Sequence, residues 1–210
     1  MEMPDTNQSA LDFWEEVYRA ASPESGGRPS AVLERFVSGR TPGTALDLGC
    51  AKGDDAVWLA KQGWSVTAVD ISPTVLGYAR ANAARCGVEN RIDFQQHDLT
   101  LSFPRVRCDL VCAMFLQTPI AFDRVPILVR AAETLRTGGL LLVVTHGSVA
   151  PWSWAKADSV FPTPRESLEQ LELTAADWEE IFVGSSSREA TGPEGQRAKV
   201  SDTIVALERR

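Results

Sequence analysis

Between residues 44 and 146 the chain alternates short apolar runs with longer segments in which apolar residues recur at helical spacing. Buried strands are predicted by five short runs, residues 44–48, 64–69, 91–96, 109–115 and 140–145. Helices are predicted over residues 54–62, 73–86 and 122–136, each followed closely by glycine. Strands that alternate with helices of this length indicate βαβ units and a parallel sheet covered on both faces.

The two ends of the chain follow other patterns. Residues 11–20 and 31–37 are predicted as short helices, separated by a loop rich in Gly, Pro and Ser. Residues 178–188 and 198–209 are predicted as extended strands, and the Gly- and Pro-containing segment 191–195 joins them as a hairpin. The predicted fold class is therefore α/β, a single-domain, doubly wound, mostly parallel seven-stranded sheet with a C-terminal antiparallel hairpin.

Composition and charge narrow the function classes. The 210 residues include 21 Lys and Arg against 28 Asp and Glu, a net charge of −7 without a basic cluster, which argues against nucleic acid as a partner. No apolar run in the chain approaches the roughly 20 residues that cross a membrane. The first ten residues have neither the basic start nor the apolar stretch of an export signal. We therefore expect a cytoplasmic protein with no membrane partner.

Cysteine and histidine usage gives no indication of a metal site. The four cysteines form no CxxC pair, and the chain has only two histidines, so neither a structural zinc site nor any other metal is expected. In a cytoplasm these cysteines are expected to be reduced thiols.

The segment after the first predicted strand has the composition of a nucleoside-binding turn. Gly49, Ala51 and Gly53 are small residues between a strand and a helix, where they let the backbone approach a ligand closely. Asp70 ends the second strand 21 residues after Gly49 (70 − 49), where a carboxylate typically binds a ribose diol. Asp54 and Asp55 stand where a helix N-terminus would receive pyrophosphate, so they favour a cationic ligand, such as S-adenosylmethionine, over NAD.

Several motifs resemble those of the class I S-adenosylmethionine-dependent methyltransferases. The run Asp47-Leu48-Gly49-Cys50-Ala51-Lys52-Gly53 is similar to their motif I, and Val69-Asp70-Ile71-Ser72 to their acidic second motif. Residues 97–100, 109–117 and 135–139 are similar to the motifs at strands three, four and five. Three residues depart from the family pattern: Ala51 replaces a glycine, Thr137 a proline, and Gln117 a frequent histidine.

A narrower resemblance is to small bacterial tellurite-resistance and thiopurine-type methyltransferases. It depends on Phe13-Trp14 with Tyr18, on Gly27-Arg28-Pro29, and on the segments 55–60 and 191–196. The resemblance implies an N-terminal helical cover over residues 1–40, a cofactor-binding core over 41–146, and a substrate-side loop with the terminal hairpin over 147–210, all within one methyltransferase domain spanning 1–210.

The resemblance also implies a role for individual residues. Those expected to bind S-adenosylmethionine, and S-adenosylhomocysteine as the product, are Trp14, Tyr18, Arg28, Asp47, Gly49, Cys50, Ala51, Gly53, Asp55, Asp70, Ile71, Asp98, Leu99, Met114 and Phe115. Among them, Asp47 faces the ammonium group, Asp70 the ribose and Asp98 the adenine amino group. The acceptor is expected against Gln117, His146 and Trp152, with His146 as the candidate catalytic base.

The expected reaction is an in-line methyl transfer to a small molecule that carries a thiol, heavier chalcogen or hydroxyl nucleophile, by a monomer or a homodimer. Three alternatives stay open at this point: a non-catalytic S-adenosylmethionine-binding protein, an enzyme that uses this cofactor for other chemistry, and an NAD-dependent oxidoreductase. Simpler interpretations of single residues stay open too. Asp55 is equally compatible with capping its helix, and Trp14 and Tyr18 with packing the core.

Overall fold

A computed structural model describes residues 8–156 and 158–210 of the chain. Residues 1–7, on which the expectation of no export signal mostly depends, lie outside the described residues. Seven strands form one sheet: β1 Thr44–Leu48, β2 Ser65–Asp70, β3 Ile92–Gln96, β4 Cys108–Met114, β5 Leu135–His146, β6 Trp178–Thr191 and β7 Arg197–Arg209. Six α-helices accompany them: α1 Ala10–Ala20, α2 Ala31–Val37, α3 Asp54–Lys61, α4 Pro73–Arg85, α5 Val125–Glu133 and α6 Pro164–Glu169.

The strand order is β3-β2-β1-β4-β5-β7-β6, in which β1 to β5 run parallel and β7 runs antiparallel to both of its neighbours. This confirms the predicted fold class. The change of direction between β1 and β4 creates a switch point, where the chain leaves the carboxyl ends of adjacent strands in opposite directions. In open sheets of this kind, that edge is where ligands bind.

Both faces of the sheet are buried, as the near-continuous apolar strands predict. On one face, Trp64 (2% exposed) and Leu59 pack with side chains of α2, α3 and α4. On the other face, Val111 and Leu141 pack with Leu128 and its neighbours on α5. Parallel strands need cover on both sides because their helical crossovers lie there. No helix of the described chain is long and apolar enough to cross a membrane.

The structure differs from the predicted elements at β5 and at α6, among other places. β5 begins at Leu135 rather than residue 140, because Leu135 pairs with Cys108 before regular pairing resumes at Leu140 with Leu110. Gly138 and Gly139 lie inside this irregular stretch, where Gly138 has a φ of 78°. The short helix α6 was not predicted, although Thr163 and Glu166 form a capping box at its start.

Candidate cofactor and acceptor site

A cavity of about 470 Å³ opens at the carboxyl ends of β1, β2, β3 and β4, and α1 closes one of its sides. Adjacent strands lie about 4.8 Å apart, so the three intervals from β3 to β4 span roughly 14 Å. The cavity therefore extends across the switch point as an elongated slot. We call the part near β2 and β3 the nucleoside end and the part beyond β4 the acceptor end.

The turn after β1 forms the floor of the cavity. Gly49 has a φ of 72°, which favours glycine, and a Cβ on it would stand 2.9 Å from Leu116 Cδ1, so a larger residue would be strained and would displace that side chain. Ala51 also lines the cavity and has a φ of 44°, a left-handed conformation that costs a non-glycine residue roughly 1–2 kcal/mol. The family motif has glycine at this position, and the backbone of this chain explains that preference.

Asp70 is the buried carboxylate at the nucleoside end. It is 6% exposed, and its two oxygens accept from the backbone N–H groups of Ala51, at 3.0 Å, and Ser72, at 3.1 Å. Burial raises the pKa of Asp70 to about 6, although these hydrogen bonds oppose the rise. Asp70 thus holds the turn after β1 and still faces the cavity, together with Ile71.

A second carboxylate lines the nucleoside end after β3. Asp98 Oδ1 accepts from Thr100 N at 2.9 Å and from Thr100 Oγ1 at 2.6 Å. Among the described residues, the other oxygen of Asp98 has no hydrogen-bond partner. His97 lies beside it, but the two ring nitrogens of His97 already contact Ser102 Oγ and Gln95 Oε1. Asp98 is therefore the residue of this turn with a free acceptor.

Asp47 lies on β1 behind the turn. It is 2% exposed, and within the described chain its Oδ2 has no hydrogen-bond partner. Burial, followed by the neighbouring Asp55 and Asp70 carboxylates, raises the pKa of Asp47 well above its ordinary value, while Cys112 opposes the rise. An unpaired buried carboxylate is costly, so this position favours a cationic partner.

The two carboxylates that open α3 bind the chain itself. Asp54 accepts from Ser25 Oγ and, at 3.1 Å, from Gly27 N. Asp55 accepts from Ser30 N at 2.6 Å, and burial raises its pKa to about 6. Neither side chain lines the cavity. Both side chains hold the loop between α1 and α2 against the sheet, and a ligand contact of Asp55 stays a prediction.

A buried carboxylate also positions α1. Glu15 accepts from Ser72 Oγ, from Thr74 N at 3.1 Å and from Thr74 Oγ1 at 2.8 Å, all at the N-terminus of α4. Burial raises the pKa of Glu15, but these hydrogen bonds and Arg19 outweigh it and hold the pKa below its ordinary value. With α1 docked in this way, Trp14 stacks on Tyr18 at 5.5 Å and both rings line the cavity.

The acceptor end begins where β4 stops. Phe115 follows β4 with a φ of 57°, strain that is typical of binding sites. The imidazole of His146 stacks on its ring at 4.7 Å, and the Arg188 guanidinium lies 5.3 Å from the ring centroid. Arg188 is in turn paired with the buried Asp202, at 2.6 Å. Side chains from β5, β6 and β7 thus support the strained residue from outside the cavity.

The structure brings together at the cavity eleven of the predicted site residues: Trp14, Tyr18, Gly49, Ala51, Asp70, Ile71, Asp98, Leu99, Met114, Phe115 and Gln117. Seven do not line it: Arg28, Asp47, Cys50, Gly53, Asp55, His146 and Trp152. Of these, Cys50 is buried in the core, and Gly53 faces Ala79 of α4, where a Cβ would stand 3.1 Å away.

Two of the predicted acceptor residues do not line the cavity in this structure. The ring of His146 stacks on Phe115 at 4.7 Å, and its role as a base stays a prediction. Trp152 packs against the hairpin turn, where a Cβ on Gly192 would stand 2.7 Å from its ring. Trp154 is the tryptophan that reaches the cavity wall, with its ring 5.6 Å from Phe13 and 6.3 Å from Trp14.

Sequence reasoning also missed lining residues. Leu116, Thr118, Ala121 and Phe122 complete the acceptor end, and Ala10 lines the cavity from α1. Residue 122 was predicted as the start of a helix, whereas α5 begins at Val125. The apolar spacing there was compatible with a helix, and only the Pro126 position, typical of a first turn, marked the later start.

Comparison with known proteins finds similarity to methyltransferases over part of the chain. Residues 45–139 match the family model described as a methyltransferase domain. The ribosomal RNA small subunit methyltransferase C of Alcanivorax borkumensis is 33% identical over 42% of this chain and 31% of its own length. The 2-heptyl-1-hydroxyquinolin-4(1H)-one methyltransferase of Mycobacteroides abscessus is 31% identical over 44% of both chains. The chain thus spans less than half the length of these relatives.

Similarity to solved structures extends over nearly the whole chain. TehB from Haemophilus influenzae superimposes with a TM-score of 0.69 at 19% identity, over 95% of this chain and 66% of that one. At this identity the likeness shows the fold alone. The matched residues 45–139 contain the turn after β1 and the carboxylates of β2 and β3, so this part of the chain is similar to a methyltransferase domain.

Proposed function

We propose that the protein transfers a methyl group from S-adenosylmethionine to a small-molecule acceptor. The observation that carries this proposal is the unequal distribution of charge along the cavity. Two carboxylates, Asp70 and Asp98, lie at the nucleoside end, whereas the acceptor end is lined by Met114, Phe115, Leu116, Thr118 and their apolar neighbours. No Lys, Arg or Glu of the described chain lines the cavity.

The nucleoside end fits the cofactor. Asp70 keeps acceptor capacity toward a ribose diol, and the free oxygen of Asp98 is available to an adenine amino group. Asp47 supplies a buried carboxyl group with an unpaired oxygen behind the same turn, and a bound ammonium group would favour its charged form directly or through water. Pyrophosphate would find no cation here. These three carboxylates therefore favour S-adenosylmethionine over NAD.

When bound, S-adenosylmethionine supplies a sulfonium methyl group that a nucleophile displaces in line. The residues of this chain position and desolvate the two molecules, which such a displacement needs more than covalent help. Trp14 and Tyr18 offer aromatic faces to a cationic centre, a contact worth on the order of 1 kcal/mol. Met114 and Phe115 exclude water at the end of β4. A nucleophile that is already anionic needs no general base, which agrees with the position of His146 behind Phe115.

A small molecule is favoured as the acceptor over a nucleic acid. The lining without Lys or Arg and the net charge of −7 both oppose a polyanion. The ribosomal RNA relative covers less than half of the chain, so its substrate gives no reason to prefer RNA here. A thiol, a heavier chalcogen oxyanion or a hydroxyl group would suit the soft, apolar acceptor end.

Calorimetry and a transfer assay test the proposal. Purified protein titrated with S-adenosylmethionine, S-adenosylhomocysteine and NAD should bind the first two and not the third. Transfer of label from methyl-labelled S-adenosylmethionine should then be followed for thiols, selenite, tellurite, phenols, amines, DNA and RNA. Label found only in DNA, RNA or protein would refute the small-molecule acceptor, and binding of NAD alone would refute the cofactor.

A further inference from the structure

The side-chain amide of Gln117 is fixed in one orientation. Its Oε1 accepts the backbone N–H of His146, with 2.8 Å between the two heavy atoms. A backbone N–H can only donate, so the oxygen of the amide must be the atom that meets it and Nε2 must be the other end. The usual ambiguity between the two ends of a glutamine amide is therefore absent here.

The backbone on both sides of this contact is also held. Gln117 N donates to Phe115 O at 2.7 Å, and Phe115 N donates to Val144 O at 2.8 Å, so the turn after β4 is tied to β5. His146 is the last residue of β5 and pairs with Asp202 of β7. Gln117 is therefore held through its backbone by the turn after β4 and through its side chain by β5, so the position of its amide is fixed.

Gln117 and Thr118 are the described residues that bring polar side-chain groups to the acceptor end, and Thr118 Oγ1 accepts from Ile120 N at 3.3 Å. Gln117 lines the cavity, and the charged lining groups of the described chain, Asp70 and Asp98 with the titratable His97, all lie at the nucleoside end. A protonated amine at the acceptor end would meet a donor and no carboxylate. A nucleophile with lone pairs, such as a thiolate, phenolate or chalcogen oxyanion, would accept a hydrogen bond.

We propose that Gln117 is the specificity-determining residue of the acceptor site: its amide N–H donates to an oxygen, sulfur or selenium atom of the methyl acceptor and selects against protonated amines. This assignment rests on the proposed function. A site that hydrogen-bonds its substrate discriminates strongly against molecules that cannot make the bond, because the buried protein group is then left unpaired.

The experiment uses the full chain with three probes of similar size: benzenethiol, phenol and benzylamine. For each probe, kcat/KM for methyl transfer and the affinity for the S-adenosylhomocysteine complex are measured in wild type, Gln117→Leu and Gln117→Glu. Gln117→Glu keeps an oxygen for the His146 N–H and replaces the donor with an acceptor. Gln62→Leu, at the exposed end of α3, is the matched control.

In the wild type we expect benzenethiol or phenol to bind and react, and benzylamine to do neither. Gln117→Leu should lower kcat/KM and acceptor affinity at least about tenfold while the Kd for S-adenosylmethionine stays within about twofold. Gln117→Glu should lower both further and admit benzylamine. Equal binding of benzylamine by the wild type, or unchanged values in Gln117→Leu, would overturn this assignment alone. A wild type that does not bind S-adenosylmethionine would overturn the proposed function as well.

Discussion

The two ends of the cavity are built by different physical means. At the nucleoside end, buried carboxylates are held by backbone N–H groups from the same or the next turn, as Asp70 is by Ala51 and Ser72. At the acceptor end, Phe115 and Gln117 are held by groups far along the chain, His146 and Arg188. The contacts that support the acceptor end come from β5 and the hairpin. Substitutions there can therefore alter the acceptor end while the contacts that hold Asp70 stay in place.

The charge difference between the two ends predicts the largest effect, on stability against pH. A carboxyl whose pKa rises on folding from 3.8 to about 6 binds more protons in the folded chain than in the unfolded chain between these values. The free energy of unfolding therefore falls as pH rises through about 4–6, by on the order of 3 kcal/mol for one such group. Urea titrations of the cofactor-free protein from pH 4.5 to 7.5 should show this fall.

Asp55→Asn sharpens that test. The asparagine oxygen can still accept from Ser30 N, but the group no longer titrates, so the fall in stability should become clearly shallower. Glu15 and Asp109, whose pKa values are lowered, contribute stability that is lost as pH falls through their ordinary values of 4.5 and 3.8, so they oppose the fall only at the acidic end of this window. The exposed Asp93→Asn is the control. A slope equal in Asp55→Asn and wild type would contradict the charge argument.

Substitution of Asp70 should remove the buried carboxylate of the nucleoside end. Asp70→Ala is expected to weaken S-adenosylmethionine binding at least about tenfold, since a charge-assisted hydrogen bond contributes roughly 1.5–3 kcal/mol. Calorimetry gives the affinity, and circular dichroism checks the fold. Asp93→Ala, on the neighbouring strand and exposed, should bind as the wild type does. Unchanged affinity in a folded Asp70→Ala protein would exclude Asp70 from the ribose site.

One substitution should release α1, the helix that closes one side of the cavity. Glu15→Ala leaves Ser72 Oγ and Thr74 N without their acceptor and should cost about 2 kcal/mol of stability. Hydrogen exchange over residues 11–30 should then become faster, and in the wild type it should slow when cofactor binds. The exposed Glu16→Ala is the matched control. If neither the substitution nor the cofactor changes the exchange rate over residues 11–30, α1 does not act as a cover of the cavity.

The smallest effect concerns the turn between the two ends. Ala51→Gly relieves the left-handed backbone at φ 44° and should change stability by about 1 kcal/mol or less, in the stabilising direction. Ala113→Gly, in the extended backbone of β4, should instead destabilise the protein. Thermal unfolding compares the two variants. If Ala51→Gly is no more stable than the wild type, the alanine at the position of the family's glycine carries no backbone strain.

The same contrast between local and distant contacts explains what the sequence could predict. The strands, the turn after β1 and Asp70 follow from residues close together in the chain, so their pattern predicted them, whereas Asp98 was implied by the resemblance to the methyltransferase motifs. The pairing of Gln117 with the His146 backbone spans 29 residues and depends on the register of β5. No periodicity or spacing encodes such a contact.

The two tryptophans after β5 show why the sequence alone could not predict which side chains pack at the acceptor end. Trp152 and Trp154 stand two residues apart in a Pro- and Ser-containing loop, and both are large aromatic residues near the expected acceptor. Composition gave no reason to choose between them, and Trp152 was predicted. The structure distinguishes the two tryptophans. Trp152 packs against Gly192 in the hairpin turn, and Trp154 packs against Phe13 on α1.

The place of β7 between β5 and β6 has a consequence for protein synthesis. The ribosome delivers β5 and β6 before residues 197–209, yet both strands hydrogen-bond to β7. Until β7 emerges, the edge of β5, with the apolar residues Leu140–Val144, lacks its final neighbour and is open to pairing with other chains. The chain order therefore leaves β5 without its antiparallel neighbour after β1 to β4 have all been synthesised.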